Sequence, residues 1–521
     1  MSITRNLDTR REAHKGVVLP PLSHIIASAP PIKLEESSPE NRFSIIPTPQ
    51  RLDVDLEHQG EGITIAFLDS GFYAHPDLIQ PENRILKYID ITRPEDGDRQ
   101  LYEPANQSWH GMQTSVAAAG NGYLSGGCYR GIAARARLVL VKVGSKRGIE
   151  PENITAGLKW VLEHKDTYGI RVVNISLGGD DDIPYQTSAV DLAAEALVAA
   201  GVVVVVAAGN SGCTDQPNLT PPGNSPSVIT VGGYDDKNQP DSSGPKTLCD
   251  TAPAMYCSSY GHTADGFLKP ELLAPAIWIP APLLPGTKQY LRAQALWKIA
   301  NEPRYGINRR TRELWEEAEL PELICDQIPP IIRAMVERAL KENKIIHPYY
   351  QHVDGTSFAA PIITSIVAQM LEINPKLTPA MVKHILTSTA DRVPYFPLIR
   401  QGFGILDARE AIREAGQESA TRIHQVLPSP VIKDGALAFL YNDEQATSVS
   451  LASDFNDWDI SSMPFHKGTE GLWEITVPAP SPGRYRYKYV LDGSRWIDDP
   501  GNGMREPDGF NGFNSVVKIS R

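Results

Sequence analysis

The sequence predicts an α/β fold built on a mostly parallel sheet flanked by helices, with a helical insertion and a carboxyl-terminal immunoglobulin-like β-sandwich. Three observations predict it. From about residue 61 to 275, short apolar segments alternate with amphipathic ones: Arg137-Leu138-Val139-Leu140-Val141-Lys142-Val143, then Ile154 to His164, then Val172-Val173-Asn174-Ile175-Ser176-Leu177. Such alternation is the pattern of parallel strands covered on both faces. About 75 residues before Gly355 read instead as helices, and residues from about 433 to 521 read as short strands separated by turn clusters.

Residues 1–50 form an extension rich in Pro, Ser and charge, as in Ala29-Pro30-Pro31 and Ser37-Ser38-Pro39-Glu40, and are expected to be extended or disordered. The main domain spans 51–415. Ile63-Thr64-Ile65-Ala66-Phe67-Leu68-Asp69 is an apolar strand ending at an acid, and His110 opens a buried helix. Val202 to Val206 is a fully buried strand running into Ala207-Ala208-Gly209-Asn210-Ser211-Gly212, which puts Asn210 on a turn at the strand's carboxyl end. The insertion, about 278–350, is expected to hold helices at Gln289 to Ala300, Glu313 to Glu319 and Ile331 to Lys341; in the last, Ile332, Met335, Val336, Ala339 and Leu340 recur at helical spacing. Residues 416–432 read as a linker. The terminal module, 433–521, has expected strands at Thr447 to Ala452, Leu472 to Val477, Arg484 to Leu491 and Ser515 to Ile519. Turn clusters Asn456-Asp457, Ser481-Pro482-Gly483 and Asp492-Gly493 separate them.

At 521 residues the chain exceeds what a single core supports, so two or three units are expected. Hydrophobic residues at 41% and charged residues at 21% are those of an ordinary soluble globular protein. A net charge of -12 argues against a nucleic-acid partner, which would want a basic face. No run approaches 18 consecutive apolar residues, so no membrane partner is expected; the longest run lies around Val202 to Ala208. Pro20, Pro21 and His24 interrupt the only candidate leader, which predicts a cytoplasmic location. Five cysteines, Cys128, Cys213, Cys249, Cys257 and Cys325, are read as thiols, with a Cys249–Cys257 bridge as the alternative.

Gly355-Thr356-Ser357-Phe358-Ala359-Ala360-Pro361 places a serine at the mouth of a small-residue, apolar helix, where a nucleophile is exposed. With Asp69 in Leu68-Asp69-Ser70-Gly71 and His110 in His110-Gly111-Met112-Gln113-Thr114-Ser115, the order is Asp, His, Ser. Taken singly, these residues also suit a turn, a helix start and a cap. Together with Asn210 they make the chain resemble the subtilisin-like serine peptidases over roughly residues 50–415. The resemblance implies a serine endopeptidase working through an acyl-enzyme, with Ser357 as nucleophile, His110 as base, Asp69 as its orienting acid and Asn210 as oxyanion donor. It implies protein or peptide substrates and no cofactor for the chemistry.

Ser176-Leu177-Gly178 resembles the family's edge segment that pairs with substrate backbone. Asp180, Asp181 and Asp182 follow; they fit either a cleft selecting basic residues, as in kexin-like members, or a solvated acidic turn. Asp77 in His75-Pro76-Asp77-Leu78 matches a calcium ligand of some members, so a structural calcium enters the expectations. Some intracellular subtilisins carry an extension lying across the site, a role open to Ile45-Ile46-Pro47 or Val18-Leu19-Pro20, as is that of a plain tail. The insertion fits a lid or a packed elaboration.

In Tyr485-Arg486-Tyr487-Lys488-Tyr489, alternation puts three tyrosines on one face, read as core, and basic residues on the other. Ser453-Asp454-Phe455-Asn456-Asp457-Trp458, Tyr487-Lys488-Tyr489-Val490-Leu491-Asp492-Gly493 and Trp496-Ile497-Asp498-Asp499-Pro500 resemble the glycogen-binding modules of the AMP-activated kinase β subunit and the amino-terminal modules of isoamylases and branching enzymes. Carried over by position, the stacking tryptophans are Trp458 and Trp496, the sugar-contacting lysine is Lys488, and Asn514 is a fourth contact. Indoles stack on glucose rings while an ammonium donates to hydroxyls, so α-glucan is the implied second partner. An extra residue between Gly493 and Trp496 departs from the family pattern. Two functions follow: an endopeptidase located on α-glucan, or a glucan-binding or scaffolding protein with a latent peptidase domain.

Overall fold

The computed structural model describes residues 45–54, 56–179, 183–214, 218–237, 252–417, 429–433, 435–469, 471–510 and 512–519. Seven parallel strands form its central sheet: β1 (Thr64–Asp69), β2 (Ile85–Asp90), β3 (Arg137–Lys142), β4 (Ile170–Ile175), β5 (Val203–Ala207), β6 (Ile229–Asp235) and β7 (Leu272–Pro275). They lie in the order β7-β6-β5-β4-β1-β3-β2, with the short strand Ala254–Met255 antiparallel on β6. Among the helices of this domain and its insertion are α1 (Ser108–Ala119), α2 (Pro151–Tyr168), α3 (Ala189–Ala199), α4 (Lys288–Asn301), α5 (Ile307–Leu314), α6 (Pro329–Glu342) and α7 (Thr356–Ile373).

Period-two alternation along β1 explains why the strand is apolar throughout. Ile65 and Phe67 join one core with α1 and α7, while Ala66 and Leu68 join the other with Ile154 and Leu158 of α2 and Leu197 of α3. β1 sits between β3 and β4, with Leu68 level with Val141 on one side and Ile175 on the other. The chain leaves β1 toward β2 and β3 and later returns to β4 on the opposite side. The carboxyl ends of β1 and β4 therefore flank a crevice at a topological switch point. By length and composition α7 alone among the described residues is apolar enough to cross a membrane, and 83% of it is buried inside the fold as the central core helix.

The insertion is the elaborated loop of an antiparallel hairpin. β8 (Ile279–Pro282) pairs with β10 (Tyr350–Val353), and β9 (Ile345–His347) pairs with β10 on its other side. Leu296, Ile299, Ile307, Ile324, Ile332 and Val336 give the insertion a core of its own. Its middle helix is Ile307–Leu314, not Glu313 to Glu319: Ile307 and Thr311 face inward one turn apart, and Glu319 at φ 50° cannot continue a right-handed helix. At the base, Leu284 packs with Tyr73 and Met112, and Gln113 donates to the Pro282 carbonyl at 2.9 Å. The insertion is thus seated on α1.

Residues 45–50 are part of the folded domain rather than an extended tail. Ile45 is buried with Ile346 and Tyr350 of the insertion hairpin, in a cluster that holds none of Asp69, His110 and Ser357. Arg51 pairs with Asp236 and donates to the Ile277 and Trp278 carbonyls. Val18-Leu19-Pro20 lies outside the described residues. The cysteine expectations are corrected: Cys213 and Cys257 form a disulfide, while Cys128 and Cys325 are free. Folding brings residues 44 apart in sequence to a Cα separation of 5.1 Å, which excludes a Cys249–Cys257 bridge in this structure. Cys249 itself lies outside the described residues.

The carboxyl-terminal module is two antiparallel sheets face to face. One holds Val431–Lys433, Ala436–Asn442, Leu472–Pro478 and His466–Lys467; the other holds Val449–Ser453, Gly483–Leu491, Phe513–Ile519 and Arg505–Pro507, with Arg495–Ile497 on the Gly483–Leu491 strand. Tyr487 and Tyr489 are fully buried between the sheets beside Phe439 and Trp473. Both donate to Asp499 at 2.7 Å. The module is docked on the α/β domain through Arg505, whose buried guanidinium lies 3.3 Å over the Phe403 ring and 4.9 Å over Phe513. His262 donates to the Arg505 carbonyl at 3.1 Å.

Candidate active site

Asp69 is the last residue of β1 and is 1% exposed. Its carboxylate accepts from the Ser70 N–H at 2.7 Å, the Thr114 hydroxyl at 3.1 Å and the His110 Nδ1 at 2.8 and 3.0 Å. A carboxylate held by these donors locks the imidazole tautomer with its proton on Nδ1, leaving Nε2 as the basic atom. His110 lies in the first turn of α1, which begins two residues earlier than the sequence suggests. The next residue is a glycine because a Cβ at Gly111 would lie 2.3 Å from the Gly71 carbonyl and 2.9 Å from the Asp69 Cβ. Burial disfavours the imidazolium, but the Asp69 charge and hydrogen bond outweigh burial and raise the His110 pKa above the ordinary value.

Ser357 is the second residue of α7 and is half-buried. Its hydroxyl donates to the Ser176 carbonyl at 3.3 Å rather than to His110, whose ring lies 6.0 Å from that of Phe358. A buried side-chain relay fixes this end of α7 to β4. Thr364 donates to the Asn174 side-chain oxygen at 3.0 Å, the Asn174 amide donates to Ser176 Oγ at 3.0 Å, and Ser176 Oγ donates to the Ser357 carbonyl at 2.9 Å.

Asn210 sits just past β5 and is exposed. Its side-chain oxygen accepts from the Thr356 N–H at 3.0 Å and the Thr356 hydroxyl at 3.1 Å. A backbone N–H only donates, so the amide cannot be flipped, and its NH2 group is left without a protein partner among the described residues. Ser176-Leu177-Gly178 leaves the carboxyl end of β4 beside Ser357, with Gly178 exposed. Asp180, Asp181 and Asp182 lie outside the described residues. Sequence reasoning misses Ser70, Thr114 and Thr356, three hydroxyl residues that orient the acid and the amide; each adjoins a motif, and its role needs the third dimension.

Asp77 does not fit a calcium ligand here. It is fully buried, and its carboxylate accepts from the Tyr350 hydroxyl of β10 at 2.7 Å and the Leu124 N–H at 3.2 Å. Arg84 donates to the Asp77 carbonyl at 2.7 Å. Calcium wants six to eight oxygen donors, whereas this carboxylate is ringed by hydrogens. Among the described residues no three His, Cys, Asp or Glu side chains gather as a metal site.

In the module, Trp458 and Trp496 lie together, ring centroids 6.4 Å apart with planes tilted by 33°. The Trp458 N–H donates to Asp454 at 3.2 Å, which fixes that indole, and Trp496 is 44% exposed. Trp496 stands in the short strand Arg495–Ile497. Lys488 is engaged: its ammonium pairs with Asp508 at 2.5 Å, and both side chains are largely buried. Arg486 pairs with Asp454 and Arg484 with Glu506, so the basic face is neutralised by acids. Asn514 is buried at 8% exposure. Phe510, 91% exposed, tops the loop whose Phe510 and Gly512 N–H groups donate to Asp508; the Asp508-Gly509 turn signal is its only trace in the sequence.

The family model described as the subtilase family matches residues 60–405, and carbohydrate-binding module 48, the isoamylase amino-terminal domain, matches residues 430–505. Serine protease AprX of Bacillus subtilis is 32% identical over 340 residues, 64% of this chain and 62% of that protein. The major intracellular serine protease of Bacillus subtilis is 35% identical over 179 residues, 33% of this chain and 51% of that one. The chain thus spans about three fifths of the length of AprX, and less of the other. A solved protease structure from Pseudoalteromonas arctica superposes with a TM-score of 0.46 at 22% identity, covering 69% of this chain and 91% of that one.

Proposed function

Because the chain belongs to the subtilase family and carries a module of the isoamylase amino-terminal type, we propose that it is a serine endopeptidase acting through Asp69, His110 and Ser357 and located on α-glucan by its carboxyl-terminal module. The observation that carries the peptidase half is the Asp69–His110 pair at 2.8 Å, together with Ser357 in the first turn of α7. His110 Nε2 takes the Ser357 proton as Oγ attacks a peptide carbonyl, and the imidazolium is stabilised by Asp69. The oxyanion is met by the Asn210 amide and the Ser357 N–H. The protonated His110 then releases the amine, and water attacks the acyl-enzyme with His110 again as base. The substrate backbone lies along Ser176-Leu177-Gly178 as an added strand.

The paired indoles of Trp458 and Trp496 support the glucan half, since flat aromatic faces in a partly exposed pair suit sugar rings. Lys488 would contribute only by exchanging Asp508 for a sugar hydroxyl. One observation favours the rival reading, a glucan-binding protein with a latent peptidase domain: the Ser357 hydroxyl rests on the Ser176 carbonyl instead of on His110. Catalytic hydrogen bonds commonly close only in the substrate complex, so the endopeptidase reading stands ahead. Hydrolysis of a denatured protein by the full-length chain, beside Ser357→Ala, tests it. Hydrolysis lost in Ser357→Ala supports the proposal; glycogen co-sedimentation without any Ser357-dependent hydrolysis supports the rival.

A further inference from the structure

We infer that the Cys213–Cys257 disulfide positions the oxyanion donor, so that Asn210 is held for catalysis only while the two sulfurs are bonded. This rests on the peptidase reading above. Asn210 is exposed on a loop gripped from two sides. On one side Thr356 holds its amide oxygen, at the helix end that carries Ser357. On the other the loop runs against residues 257–259: the Ser259 N–H donates to the Gly209 carbonyl at 2.9 Å, the Ser211 N–H to the Ser259 hydroxyl at 3.2 Å, and the Gly212 N–H to the Cys257 carbonyl at 2.9 Å. The disulfide closes this ladder at the very next residue.

The two segments touch so closely that a Cβ at Gly212 would lie 1.8 Å from the Ser258 carbonyl oxygen. Residues 257–259 are the fixed side of the pair. Ser258 and Ser259 are buried, and the Gly233 N–H of β6 donates to the Ser258 hydroxyl at 2.6 Å. The Asn210 loop is the exposed side, tied to that post by the ladder and the staple. Hydrogen bonds at an exposed loop compete with water and are individually weak, whereas a covalent link does not exchange. An oxyanion donor must be held to within a few tenths of an ångström of the developing charge, and a small displacement lowers the rate steeply. In sequence, Cys213 stands only a short step beyond that donor.

Cys213 is exposed and Cys257 half-buried, so the bond is open to an external thiolate. Two equivalents of a small thiol reduce it: the first thiolate attacks one sulfur and releases the other as a thiol, and the second resolves the mixed disulfide. The reagent leaves as its own disulfide, and Cys213 and Cys257 each gain one proton. A compartment that keeps thiols reduced would therefore hold the site in its slow form, and an oxidising one in its fast form.

The test uses the full-length chain and a soluble peptide substrate, before and after dithiothreitol with the reagent removed, with intact mass confirming the reduced state. The inference predicts that reduction lowers kcat about tenfold or more with KM little changed, and that reoxidation restores it. Cys213→Ser and Cys257→Ser should start at the reduced value and ignore dithiothreitol. Asn210→Ala, already lacking the donor, should lose no further rate on reduction, a result that a general structural role of the bond would not give. Ser357-dependent hydrolysis with kcat unmoved by verified reduction overturns the inference and leaves the peptidase reading intact. The inference is likewise overturned if Asn210→Ala loses as much as the parent, or if the reduced chain unfolds at the assay temperature. Absence of any Ser357-dependent hydrolysis removes the peptidase reading, and the inference with it.

Discussion

Thr356 gives both its backbone N–H and its hydroxyl hydrogen to the side-chain oxygen of Asn210, at 3.0 and 3.1 Å, so that the oxygen and not the NH2 group of the amide is the one engaged by the helix. One residue thereby connects the helix that carries Ser357 to the loop that carries Asn210. Asn210→Ala should lower kcat about a hundred- to a thousandfold with KM nearly unchanged, the magnitude that removing one such donor has in subtilisins. Thr356→Val, which keeps the N–H bond and loses the hydroxyl, should lower kcat less. Steady-state kinetics on one peptide decides; equal losses in the two variants would contradict a positioning role for Thr356.

The acid limb of kcat/KM should report His110. Burial pulls its pKa down, the Asp69 charge and hydrogen bond together push it up further, and the net is a value above the ordinary imidazole figure. The working form is the neutral base, so activity should rise with pH through a midpoint above that ordinary value. Asp69→Asn removes the upward push and leaves burial, which should move the limb to lower pH while lowering the rate about ten-thousandfold through the wrong tautomer. A limb that does not shift in Asp69→Asn would assign it to another group.

Tyr350 takes the carboxylate position at Asp77 that a metal would need. Melting of the wild-type chain should therefore be the same in a chelator and in excess calcium as far as Asp77 is concerned. Tyr350→Phe leaves a buried carboxylate short of one donor and should lower stability by about 1–3 kcal/mol. A calcium-dependent rise in melting temperature that vanishes in Asp77→Asn would show that a metal binds there after all.

Asp499 is buried beneath the two tyrosines, and burial raises its pKa to about 6 despite their hydrogen bonds. Such a carboxyl binds its proton more tightly folded than unfolded. Its contribution to stability is therefore most favourable below the ordinary value of 3.8 and is lost as pH rises through about 6. The loss is on the order of 2–3 kcal/mol. Asp499→Asn should flatten the pH dependence of the module's melting between those limits; an unchanged slope would remove Asp499 from the account.

The paired indoles give the module its glucan prediction. Trp458→Ala with Trp496→Ala should abolish co-sedimentation with glycogen while the melting temperature shows the module still folded. Pelleting at the wild-type level would end the localisation reading.

Much of this molecule is legible in its sequence because the informative residues carry local signals. The apolar strand running to Asp69, the buried strand before Asn210 and the small-residue helix after Ser357 are visible as patterns, as are the flanking helices of the insertion. What escapes depends on chain distance. Nothing in sequence says that Cys257 meets Cys213 rather than Cys249, that Tyr350 returns from the insertion to Asp77, or that Lys488 is claimed by Asp508. The middle helix of the insertion is misplaced by periodicity because its inward stripe is only Ile307 and Thr311, too short to fix a phase. Ile45 reads as tail because its partners, Ile346 and Tyr350, lie about 300 residues away.

The central claim is an assembled nucleophile at Ser357. The most direct measurement is reaction of the full-length chain with a serine-reactive fluorophosphonate, beside Ser357→Ala, with adduct mass read on the intact protein. The account predicts one adduct on the wild-type chain and none on Ser357→Ala. No adduct on the wild-type chain, or an adduct that survives in Ser357→Ala, would contradict it.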